Sequence, residues 1–312
     1  MPLVESGCYS KETISRMSIS SFHYRITQRY LSVTIITSNF ETYYLGAPSS
    51  APSLELASPA FGVLAQAIKA RDPPQICSVF GPEPFVRGFM EAWSTMVEPP
   101  LQIRQNHFLR SQLALITAAD LPAHPRSVPG DYRIVDLLAW ANENAGTPLL
   151  DLVVNDQALA IVEFLGDRGQ DEDSSVGLKG VNDVLSNKRM GRYFVCLHIP
   201  PLNALAGIES GGTPPTLVAA YVFTGRATAA TISIRNVYTR EAYRRKGLAE
   251  ALVNTATKYW LEGVEEGSRK TEVTLFVEPG SVAERVYRKC GFTITDAAYE
   301  RRGWEGVKEG LF

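Results

Sequence analysis

The stretch Asn236-Val-Tyr-Thr-Arg-Glu-Ala-Tyr-Arg-Arg-Lys-Gly-Leu-Ala249 constrains this chain more than any other. It closes an alternating strand in which Ile232 and Ile234 share a face. A short basic turn follows, Arg244-Arg245-Lys246-Gly247. An apolar-periodic helix comes next, with Leu248, Leu252, Ala256 and Tyr259 or Trp260 on one side. A strand that turns directly into a helix aims backbone N–H groups and the positive helix end at one spot. That spot favours an anion, and a phosphate or pyrophosphate is the expected ligand. Gly247 permits close approach because it has no Cβ, and Ala249 adds little bulk. Arg244, Arg245 and Lys246 supply positive charge. A solvated basic turn ahead of a helix would look the same in isolation, so the surrounding chain has to decide.

Downstream lies Leu275-Phe-Val-Glu-Pro-Gly-Ser-Val-Ala-Glu-Arg-Val-Tyr-Arg-Lys-Cys-Gly-Phe292. Ser281 and Glu284 form a capping-box pattern at the start of a helix over 281–290, the carboxylate reaching back. Gly291 supplies the left-handed residue that ends it. Ala283, Val286, Tyr287 and Cys290 share one face.

Together these segments resemble the GNAT (general N-acetyltransferase) superfamily. Arg244-x-x-Gly247-x-Ala249 is similar to its acyl-CoA signature, and Ala283, Tyr287, Gly291 and Phe292 fall in place with its later segment. The resemblance covers roughly residues 130–300. It implies an α/β (α+β) fold with a mixed central sheet flanked by helices, and acetyl-CoA as cosubstrate. It implies cofactor contacts from Val237, Tyr238 and Thr239 at the strand end, and from Arg244, Arg245, Lys246, Gly247, Leu248 and Ala249 in the loop. Tyr287 is the implied general acid for the departing thiolate. The family's frequent Asn aligns with Gly280, which loses a side-chain hydrogen bond, and Ser281 offers a hydroxyl in partial compensation. No general base is named: the strand over 231–238 carries no acid, and Glu163, Glu272 and Glu278 each read as solvated carboxylates. Arg235 meets an acidic acceptor or lies at the sheet edge.

The implied activity is transfer of an acetyl group to an amine, a small molecule in preference to a protein, because no charged peptide groove is legible. A non-catalytic acyl-CoA-binding or interaction module is the alternative. A domain for another nucleotide is disfavoured by the absence of G-x-x-x-x-G-K-[ST] and G-x-G-x-x-G patterns.

Composition excludes other classes. At 312 residues, 45% hydrophobic and 21% charged, with net charge −2, the chain is ordinarily globular and has no basic excess for nucleic acid. Its four cysteines and four histidines show no metal-ligand spacing, so neither a metal site nor a disulfide framework is expected, and a reducing compartment fits. No apolar run approaches the ~18 residues of a membrane span. A cytoplasmic location is expected, with the nucleus left open. The Ser-rich start over 1–21 reads as frayed.

Three prolines and a glycine in Leu121–Gly130 mark a boundary. The expected division is an N-terminal α/β extension over 1–125 and an acyl-CoA-binding catalytic domain over 126–312. In the extension, 47–59 reads as a Pro/Ser-rich linker, and Phe85, Phe89 and Trp93 as one helix stripe. Its strand, Gly-Pro turn, helix, strand order also occurs near the C-terminus. Two explanations stay open, a degenerate half-copy of an acyltransferase domain or an unrelated cap. The segment from Ser78 to Trp93 also resembles the leading part of fungal-type GNAT-domain proteins. In the C-terminal part, 167–177 reads as an acidic mobile loop and 199–215 as a long hairpin loop.

Overall fold

The computed structural model describes residues 18–26, 29–37, 42–46, 54–70, 76–106, 109–167, 173–186, 191–198, 216–265 and 267–307. They form two compact units, one of Met1–Leu113 with Asp296–Phe312 and the other of Ala114–Thr295. Among the described residues no helix is long and apolar enough to cross a membrane.

The first unit contains β1 (Ser18–Ile26), β2 (Arg29–Thr37), β3 (Thr42–Gly46), α1 (Leu54–Lys69), β4 (Ser78–Pro82) and α2 (Glu83–Met96). β2 pairs antiparallel with both β1 and β3, and β3 and β4 are parallel. A parallel pair needs a crossover, and α1 supplies it. Phe85, Phe89 and Trp93 of α2 are buried, as their spacing predicts. Pro84 sits in the first turn of α2, where its missing N–H costs no helical bond. Trp304 is enclosed in the same core and donates its indole N–H to Ser94 Oγ at 2.7 Å.

The second unit begins with the end of β5 (Leu109–Thr117). It continues through β6 (Tyr132–Asp136), α3 (Leu137–Glu143), α4 (Pro148–Gly166), α5 (Ser174–Leu185), β7 (Gly191–His198), β8 (Val218–Gly225) and β9 (Thr231–Thr239). The last elements are α6 (Leu248–Glu262), β10 (Glu272–Val277), α7 (Val282–Lys289) and β11 (Thr293–Gly303), which leaves the unit after Thr295. The strand order in this unit is β5-β10-β9-β8-β7-β6. β8 is buried at every position because helices cover both of its faces. Tyr221 and Phe223 pack into the cluster of α3, α4 and α5, and Ala220 and Val222 into that of α6 and α7.

The two units share one plan. Three antiparallel strands, a helix, a strand parallel to the third and a second helix occur as β1-β2-β3-α1-β4-α2 and again as β7-β8-β9-α6-β10-α7. After each second helix the chain passes into the other unit. From Ala114 on, β5 belongs beside β10, and from Asp296 on, β11 pairs antiparallel with β4. The first unit thus repeats the strand and helix order of the second.

Several local expectations change. α5 begins at Ser174, inside the stretch read as a loop, because the Asp173 carboxylate accepts from Ser175 N–H at 2.7 Å and caps a helix there. α1 starts at Leu54, inside the expected linker, whose residues 47–53 lie outside the described residues. β1 starts at Ser18, so the frayed start applies at most to 1–17, also outside them. The expected hairpin loop over 199–215 lies outside as well.

Candidate functional site

The site is built where β9 and β10 part. They pair in parallel only from Thr231–Glu272 to Ser233–Thr274, although β9 runs on to Thr239 and β10 to Val277. A bulge on the other side of β9 accompanies the parting. Phe223 faces Asn236 and Thr224 faces Ile234, so the register shifts by one residue at Arg235. An extra residue of this kind bends its strand and raises its twist. Arg235 is thus the bulge residue.

The parting opens one backbone edge. Arg240 N–H donates to Ala219 C=O at 3.1 Å. N–H groups alternate sides along a strand, so that of Tyr238 faces β8 while those of Val237 and Thr239 face the open edge. The Tyr238 side chain goes to the α4 face, with its ring 5.9 Å from Phe164 and 6.1 Å from Tyr221. Burial raises its phenol pKa, with lesser contributions from Glu163 and Asp167.

The turn after β9 is anchored from below. Arg240 is 7% exposed. Its Nη1 donates to Asp156 Oδ1 at 2.6 Å and its Nε to Glu163 Oε2 at 2.9 Å. The other Asp156 oxygen accepts from Leu217 and Val218 N–H, both at 2.7 Å. One carboxylate on α4 therefore holds the start of β8 and the end of β9 together. In the sequence Arg240 is one of several basic residues ahead of the helix. The network could not be found there, because its acids lie on another element.

Arg244 and Lys246 also turn to protein partners. Arg244 Nε donates to Thr239 C=O at 3.0 Å, and its Nη2 to Asp167 Oδ2 at 3.0 Å. Lys246 Nζ donates to Tyr132 Oη at 2.6 Å and lies 5.2 Å and 5.3 Å from the Tyr132 and Tyr243 ring centres. The Tyr132 hydrogen bond raises its pKa, so its charge is secure at neutral pH. Both side chains brace the loop. Arg245 adopts φ +66° and Gly247 φ +80°, left-handed conformations that turn the chain into α6. Gly247 is the N-cap of α6, with no side-chain cap. The first intrahelical bond runs from Ala251 N–H to Gly247 C=O, so the N–H groups of Leu248, Ala249 and Glu250 have no intrahelical acceptor. An uncapped helix start reached through a left-handed glycine fits an anionic pyrophosphate.

α7 brings Tyr287 into the core beside α6, 8% exposed, with its ring 5.8 Å from that of Phe292. Ser281 Oγ is engaged as the α7 cap, accepting from Glu284 N–H at 3.2 Å. The Glu284 carboxylate reaches back to Gly280 N–H at 2.6 Å instead of to Ser281, a correction to the reciprocal box. Gly280 has φ +76°. This is the left-handed region that glycine enters without steric cost. Among the described residues no group of three or more His, Cys, Asp or Glu is placed to hold a metal ion.

Residues 209–294 match the family described as the acetyltransferase (GNAT) domain. The chain is also similar in fold to a tandem GNAT protein from the clavulanic acid biosynthesis pathway, with TM-score 0.51 and 11% identity, covering 94% of this chain and 85% of that one. A GCN5-related N-acetyltransferase from Kribbella flavida gives 0.52 and 14%, covering 88% and 87%. One from Sphaerobacter thermophilus gives 0.50 and 15%, covering 90% and 78%. No curated protein matches the sequence. The C-terminal region thus matches a GNAT acetyltransferase domain over 209–294, and most of the chain is similar in fold to a tandem GNAT protein. The fungal-type likeness finds no support in these matches.

Proposed function

We propose that this protein transfers an acetyl group from acetyl-CoA to the amine of a small molecule by direct attack. The observation that carries the reading is the pairing of an open strand edge at Val237 and Thr239 with an uncapped helix start at Gly247, joined by one turn. The helix start would hold the pyrophosphate, and the strand edge would face the thioester. The neutral amine nitrogen bonds to the carbonyl carbon, and the N–H groups of Val237 and Thr239 receive the resulting oxyanion. The C–S bond then breaks, and the Tyr287 phenol protonates the departing thiolate. The proton lost by the amine passes to water, and water returns a proton to the Tyr287 phenolate. The products are an amide and the CoA thiol.

A second reading, a GNAT-fold module that binds acyl-CoA without turnover, has one observation in its favour. Glu163 and Asp167, the carboxylates that act on Tyr238, are both engaged by arginines, so neither is a free base. Calorimetric titration with acetyl-CoA and CoA, with Gly247→Asp as control, tests the shared premise. Saturable binding lost in the variant supports it. No binding by a folded protein overturns both readings. Thiol release across a panel of amines then separates them.

A further inference from the structure

We propose that Arg126 is a pyrophosphate-binding residue of the acyl-CoA site, reaching the loop from the Pro-rich segment ahead of β6. The inference rests on the acyl-CoA reading above. It concerns a residue outside the segment 209–294 that matches the acetyltransferase domain.

Arg126 lies directly against the loop. A Cβ at Gly247 would collide with Arg126 Nε and Cζ and fall 2.7 Å from its Nη2. The guanidinium therefore fills the space that the missing side chain leaves, beside the uncapped start of α6. Its ion pair runs from Nη1 to Glu250 Oε2 at 3.6 Å, beyond hydrogen-bond distance, and the side chain is 48% exposed.

A cation at the positive end of a helix is opposed by the helix dipole. Here Arg245 and Lys246 add charge to the same turn, and Glu250 is the one acidic residue in the first turn of α6. An anion between the guanidinium and the free N–H groups turns that opposition into attraction. The planar fork of an arginine suits paired phosphate oxygens, and the helix start offers N–H groups to the remaining ones. Gly247 then has two physical roles. Its φ is left-handed, and its lack of a side chain admits Arg126.

The test is titration of the full-length protein with CoA and with 3′-dephospho-CoA, which both carry the pyrophosphate. Arg126→Ala is expected to weaken both by the same factor, about 10-fold or more, with an unchanged melting temperature. Adding Glu250→Gln to that variant is expected to leave the deficit in place. Unchanged or tighter CoA binding by Arg126→Ala would overturn the proposal, and tighter binding would make the guanidinium a plug. A loss confined to CoA would move the contact to the 3′-phosphate and overturn the pyrophosphate assignment. Full rescue by Glu250→Gln would reduce Arg126 to a screen for that carboxylate. If the wild-type protein is folded and binds neither ligand, the acyl-CoA reading falls and takes this one with it. Wild-type binding with an indifferent Arg126→Ala sinks this inference alone.

Discussion

Arg240 and Asp156 lie 84 residues apart in sequence and meet at 2.6 Å, closing the end of β9 onto α4. Both side chains are largely withdrawn from water, and the second Asp156 oxygen is committed to the backbone of β8. The turn that carries Gly247 begins at this knot. Its position relative to the strand edge is thus fixed by a contact that touches neither thioester nor phosphate.

Arg240→Ala leaves Asp156 buried without its cation. Breaking one side of such a pair costs on the order of 3–5 kcal/mol. Urea denaturation should report a loss of that size. A loss below about 1 kcal/mol would mean that water replaces the guanidinium.

Tyr287→Phe removes one oxygen from a side chain packed in the core, so stability and CoA affinity should stay close to wild type. Loss of a general acid lowers turnover by about 100-fold or more. Steady-state kinetics with an accepted amine would show the fall in kcat, and an unchanged kcat would remove Tyr287 from the mechanism.

Glu284 gives a pH dependence of known sign. Gly280 N–H and then Arg288 hold its carboxyl below the ordinary value of 4.5. A depressed folded-state pKa adds stability above the unfolded value, and that stability is lost as pH falls through the folded one. Melting temperature should therefore decline below about pH 4.5 less steeply in Glu284→Gln than in wild type. Parallel profiles would show that the cap contributes nothing through its charge.

Burial pushes the Cys196 and Cys290 thiols up to about 12. Thiolates are the reactive form, so both should resist alkylation in the folded protein at neutral pH. Mass spectrometry after iodoacetamide treatment, with and without denaturant, checks this. Labelling of either under native conditions would reveal local opening, and it would bias any thiol-release assay of the transferase reaction.

What the sequence determined by itself lies in consecutive residues. The strand-turn-helix around Gly247, the Ser281 cap of α7 and the Phe85, Phe89, Trp93 stripe were legible because local backbone preference and periodicity set them. α5 was missed although its cap, Asp173, is local, because the neighbouring acidic residues and glycine mimic a loop. Only the tertiary structure decided which charges on the loop stay free. Arg240, Arg244 and Lys246 look alike in sequence, yet α4, Asp167 and Tyr132 take up their side chains, and Arg126 arrives from a segment that reads as a boundary. The register of β8 against β9, which makes Arg235 the bulge, and the parting of β9 from β10, which opens the edge at Val237, are likewise properties of pairs of strands and not of any one. So are the places of β5 and β11. The pairing of each last strand depends on residues distant in sequence, and no pattern along its own residues names them.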